Sequence, residues 1–216
     1  MLLSFIAAFW FSTLAAALPG YRGLKIRDDI IGPSAAFQIY SAEPDRSTNL
    51  ALSNSSSGGN STVILRYRYL ASRGIPFDFH VSQGPNNSDR EDLAVSFTNL
   101  ACPPASHGPY SFEFNFVPEP QYNSTGQNQI NVFRINGDIG SAPTFNSIEA
   151  VTGSLIGTFE LPTGSDANSP KLFFINQLVC KPTINLRFGI TQYSPEAGAV
   201  AYFQRDGMGL RERDGT

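Results

Sequence analysis

From residue 110 to 116 the chain reads Tyr-Ser-Phe-Glu-Phe-Asn-Phe, an aromatic ring at every second position with a polar side chain between. Successive side chains of a strand point to opposite faces, so Tyr110, Phe112, Phe114 and Phe116 make one apolar stripe only if the segment is extended. Wound as a helix, the same rings would be scattered around the axis and could not be buried together. The segment therefore predicts a strand in a sheet with one covered and one wet face. The period recurs. Val63, Leu65, Tyr67 and Tyr69 alternate with Arg66 and Arg68; Phe77, Phe79 and Val81 alternate with Asp78, His80 and Ser82. Ile184, Leu186, Phe188 and Ile190 alternate with Asn185, Arg187 and Thr191. Phe37–Ser41, Leu93–Phe97, Ile130–Ile135, Leu155–Leu161, Leu172–Cys180 and Val200–Phe203 bring the expected total to about ten strands.

Between these runs lie QGPNNSD, CPPASHGP, VPEPQYNSTG, RINGDIGS and LPTGSD, the Gly, Pro and Asn chemistry of turns and loops. No long helical spacing survives its own Gly and Pro residues, so parallel pairing, which needs helical crossovers, is excluded. The expectation is an all-β fold, an antiparallel two-sheet sandwich of jelly-roll type. One β-sandwich domain is expected over residues 35–210, with an extended arm at 18–34 and a polar tail at 211–216. Fifteen Lys and Arg stand against 18 Asp and Glu. That balance gives no cationic footprint for nucleic acid or anionic lipid.

Residues 1–17, MLLSFIAAFWFSTLAAA, hold no charge, are apolar through Leu14 and end in small residues at Ala15 and Ala17. That is the pattern of a secretory signal peptide cleaved after Ala17, and too short a run to span a bilayer comfortably. No second apolar segment approaches membrane length, and no hydrophobic tail for a lipid anchor is present. Sequons at Asn54, Asn60, Asn86 and Asn123 fall in Ser, Gly and Asn-rich stretches expected to be exposed loops. The only cysteines are Cys102 and Cys180. In an oxidising compartment an even pair reads as a disulfide, closing a loop of about 79 residues worth about 4–5 kcal/mol on the chain-entropy model. The expected location is extracellular or in a cell wall.

Candidate chemistry is sparse. His80 and His107 are the only histidines; the first lies on the polar side of its strand and the second in a Pro and Gly loop. No G-x-S-x-G nucleophile turn accompanies them, so both read as surface residues. Asp78, Glu113 and Glu160 are strand-borne acids that could supply the carboxylate pair of a glycan hydrolase. Against this, the only Trp, Trp10, lies in the leader, leaving no indole platform for sugar. Asn86, Asn87, Asp89, Glu91 and Asp92 offer hard oxygens for calcium, but Arg90 sits among them and the EF-hand spacing is missing. The Gly-rich pieces lack the lysine or following helix of a phosphate cradle. No metal, cofactor or catalytic residue is expected.

From Cys102 onward the order of segments resembles the fungal But-two C-terminal-domain proteins. The matching pieces are Cys102 before SFEFNF (Ser111–Phe116), INVFRI (Ile130–Ile135), TFNS (Thr144–Ser147), GTFEL (Gly157–Leu161), Cys180 and AVAYFQRDGMGL (Ala199–Leu210). The resemblance covers the C-terminal half to two-thirds and implies a small β-rich protein, secreted in many members. It brings no catalytic residues. The family is named for binding a subunit of a ubiquitin-like activating enzyme, an intracellular partner that a secreted chain does not meet. The combined expectation is a secreted, N-glycosylated, non-catalytic β-sandwich that binds a cell-wall or host-surface ligand. The alternative is a secreted jelly-roll enzyme acting on glycans through two of the three acids.

Overall fold

The computed structural model describes residues 30–31, 33–50, 77–100, 110–118, 122–179, 181–204 and 209–213. Residues 1–17, read above as a signal peptide, and Asn54, Asn60, Cys102, His107, Cys180 and the alternating run at 63–69 lie outside them. Among the described residues, strands β1 (Ile30–Ile31), β6 (Tyr110–Phe116), β10 (Lys171–Leu178) and β13 (Gly209–Arg213) form one sheet in the order β1-β13-β6-β10. A nine-stranded sheet holds β2 (Ala35–Tyr40), β3 (Ser47–Asn49), β4 (Phe77–Gln83), β5 (Glu91–Thr98), β7 (Asn123–Gly126), β8 (Gln129–Ile135), β9 (Thr152–Glu160), β11 (Thr183–Ile190) and β12 (Gly198–Gln204). Its path runs β7-β12-β4-β5-β11-β8-β9, and β2 pairs with β5 and β3 off that path. The paired strands are antiparallel. The chain is an antiparallel two-sheet β-sandwich, as its period-two pattern requires.

The stripe that opened the sequence reading builds the core between the sheets. Phe112, Phe114 and Phe116 of β6 are fully buried and meet rings from the facing sheet. Phe112 packs edge-on to Phe97 of β5 at 5.2 Å, and Phe114 touches Phe79 of β4 at 5.6 Å. Phe114 also stacks on Phe159 of β9 at 5.1 Å. Each such ring stabilises by about 1.5–3 kcal/mol through area removed from water. Tyr202 of β12 adds a polar tie: its hydroxyl accepts from the Val117 N–H at 3.1 Å and lies 3.2 Å from the Val117 carbonyl. A buried phenol needs such a partner.

Three features depart from the sequence reading. Residues 211–213, expected in a polar tail, belong to β13, where Glu212 and Arg213 pair with Ile31 and Ile30 of the expected arm. The sandwich thus reaches past both ends of the 35–210 span. Second, a helix that no spacing in the sequence predicts starts within TFNS. Thr144 caps helix α1 (Phe145–Val151): its hydroxyl accepts from the Ser147 N–H while the Ser147 hydroxyl accepts from the Thr144 N–H. Seven residues are too few to show helical periodicity or to stand alone, so packing sustains this helix. Third, the outer face of β5 and β11 is not wet. Ile148, Ile139, Phe37, Ile39, Ala94 and Ile135 form a second apolar cluster there, with α1 as its lid. Arg187, expected to be solvated, is buried beneath that lid, and Asn185 is buried against the loop after β8.

Candidate binding cleft

Covering that face forces charged side chains out of water, and they answer one another. Asp92, second in β5, is fully buried. Arg187 of β11 approaches its Oδ2 through Nε at 2.7 Å and Nη2 at 2.6 Å, and Arg90 approaches through Nη2 at 2.7 Å. Arg187 Nη1 continues to the Glu149 carboxylate on α1 and donates to Thr152 Oγ1 at 3.1 Å. The Arg187 guanidinium lies over the Phe145 ring, 4.9 Å from its centroid. With its amide oxygen turned toward Arg90, Gln192 accepts from Nη1 at 2.7 Å. Burial pushes the Asp92 carboxyl up, while Arg187 and then Arg90 pull it back. Two cations and two carboxylates sum to zero. The cluster braces α1 on the sheet and offers no spare charge to a ligand.

The next outward pair along the same two strands is Ser96 and Asn185, directly opposite each other. Asn185 Oδ1 accepts from Ser96 Oγ at 2.6 Å, and its Nδ2 donates to the Gly137 carbonyl at 2.5 Å. This side chain therefore pins the loop after β8 to the sheet, just as Arg187 pins the helix that follows. Beside the pinned loop opens a cleft of about 710 Å³, at the strand ends of β5, β8, β10 and β11. That volume is in the usual range for a ligand site. Arg134, Lys181, Asn136, Asp138, Thr98 and Thr183 supply its polar lining, and Ile135, Leu178, Val179 and Ile184 its apolar part. Arg134 and Lys181 have no ion-pair partner among the described residues. Asp138 is partly occupied, because its Oδ1 accepts from the Gly140 N–H at 3.0 Å.

The sequence reading did not single out Arg134 or Lys181. A signal for Arg134 was present: on β8 it shares the parity of Ile130 and Val132, which are buried in the core. A cation at a core-parity position marks where the sandwich stops being closed. Lys181 carried no comparable signal.

The three acids named from the sequence are not brought together. Asp78 is exposed on β4 of the larger sheet, on the side away from buried Phe79. Glu113 is buried on β6 of the other sheet, in register with Phe174 and Arg211. Glu160 ends β9, four strand spacings from β4, about 19 Å along the sheet. A retaining pair needs about 5–5.5 Å and an inverting pair about 6.5–9.5 Å. His80 Nε2 lies 3.1 Å from the Glu91 carboxylate.

The acidic loop is dispersed in the same way: Glu91 turns to His80, and Asp92 turns into the brace. Asn86, Asn87 and Asp89 hold the left-handed turn, with φ of 55°, 61° and 44°. Among the described residues no group of His, Cys, Asp or Glu is placed to hold a metal, and no helix is long and apolar enough to cross a membrane. Asn86 and Asn123 are both exposed. Asn123 begins edge strand β7 instead of lying in a loop. No family model, no curated protein and no solved structure matches the chain. The cleft's own chemistry is left to carry the functional reading.

Proposed function

We propose that the chain is a secreted, N-glycosylated, non-catalytic β-sandwich that binds a cell-wall or host-surface saccharide in the cleft beside Asn185. The observation that carries this reading is the cleft itself: a preformed site whose loop wall is fixed by Asn185 and whose two cations have no ion-pair partner among the described residues. Prefixing a wall lowers the ordering cost of binding. A leader-like segment at residues 1–17 and exposed sequon asparagines at 86 and 123 support the secreted setting. So does the setting of the cysteines. Thr98 pairs with Thr183, and the Leu100 N–H donates to the Pro182 carbonyl at 3.2 Å. Cys102 follows, and Cys180 precedes, that hydrogen-bonded pair by two residues each.

The resemblance to But-two C-terminal-domain proteins belongs to the same proposal. Its segments fall on β6, β8, β9 and β12 and on the cap of α1, so it concerns the scaffold. The reading is tested by a glycan array run together with a polysaccharide hydrolysis screen on the secreted protein. Retention on saccharide spots without new reducing ends is expected. Release of reducing ends, or no retention on any spot, overturns it.

A further inference from the structure

The cleft's hydrogen-bonding groups are unevenly spent, and the imbalance identifies a ligand class. Ser96 Oγ and both polar atoms of Asn185 are used within the wall. Thr98 Oγ1 is bonded to Ser34 Oγ at 2.9 Å. What remains is dominated by donors: the Arg134 guanidinium and the Lys181 ammonium present N–H groups and no acceptors. Among the described lining residues one carboxylate, Asp138, stands against two cations, one net positive charge in a chain whose formal net charge is −3. Among the described lining residues no side chain is aromatic, so they offer a neutral sugar no ring to stack on. The apolar share of the lining is aliphatic, with Val179 77% exposed at the rim.

We infer that the cleft selects an acidic saccharide, with a uronate carboxylate held by Arg134 and Lys181 and the C–H face of its ring against Leu178 and Val179. This inference rests on the binding reading above and narrows it. Charge-assisted hydrogen bonds to a carboxylate are about twice as strong as neutral ones, so the charged groups dominate selection.

The test is isothermal titration of the intact secreted protein with an oligogalacturonate and with the same oligomer methyl-esterified. Binding of the acid form is expected, with the ester at least about tenfold weaker, the equivalent of one charge-assisted bond. Arg134→Gln and Lys181→Gln should each weaken the acid form by about fivefold to tenfold, and added salt should weaken it further. Lys171→Gln, a cation outside the cleft paired with Asp166, should leave it unchanged. Equal binding of the ester overturns the acidic preference but leaves the cleft as a binding site. Acid binding that Lys171→Gln reduces as much as Arg134→Gln overturns the assignment to the cleft. No binding of either oligomer overturns this inference, while the array still decides the broader reading.

Discussion

Asp92 shows how one residue can be both legible and misread. Its position at the start of EDLAVSFT marks an acid entering an apolar strand, which the sequence groups with the solvated acidic loop of Asn86, Asn87, Asp89 and Glu91. The structure instead places its side chain beneath α1, in contact with Arg187 and Arg90. Breaking a buried ion pair by removing one partner leaves an uncompensated charge and costs about 3–5 kcal/mol. Asp92→Asn is therefore expected to lower unfolding free energy by that amount, read as a fall in the urea midpoint with unchanged slope. A midpoint within error of wild type would remove the brace from the account. Glu149, more than half exposed, should matter less than Asp92 despite contacting the same arginine.

At the scale of elements, the strands were legible because burial on one face imposes a period of two, and β4, β6 and β11 display it. What was hidden follows equally from physics. Helix α1 has seven residues, fewer than two full turns beyond its cap, so its apolar Phe145, Ile148 and Val151 cannot establish a helical rhythm. The outer face of β11 reads Asn185, Arg187, Gly189, a wet face by every sequence criterion, and is dry because that helix and the loop after β8 lie over it. The cleft was hidden because its lining comes from three segments far apart in sequence, near residues 96–98, 134–138 and 178–185.

Two substitutions probe these elements. Thr144→Ala removes half of the capping box and should cost about 1 kcal/mol, with faster amide exchange confined to α1. Gly157→Ala tests the contact between sheet edges, because a Cβ there would lie 2.6 Å from the Ile175 carbonyl of β10. Backbone cannot give way cheaply, so a loss of about 1–3 kcal/mol is expected from thermal melting.

At the scale of the whole molecule, the proposed secretion and a disulfide between Cys102 and Cys180 stand together as one prediction. Loss of a native disulfide in a small secreted domain costs about 2–5 kcal/mol, a large share of a typical total. Cys102→Ser and Cys180→Ser should reduce secretion yield alike, and the double substitution should do no further harm. Non-reducing peptide mapping that finds both thiols free would contradict the bridge.

The central claim is that this sandwich works by binding at one end, in the cleft fixed by Asn185. Hydrogen–deuterium exchange of the secreted protein, with and without a soluble digest of cell-wall polysaccharide, tests it most directly. The account predicts added protection confined to residues 134–138 and 181–185, with no rise in reducing ends during the incubation. Protection centred instead on exposed Leu172 and Phe174, or new reducing ends as the digest is consumed, would contradict it.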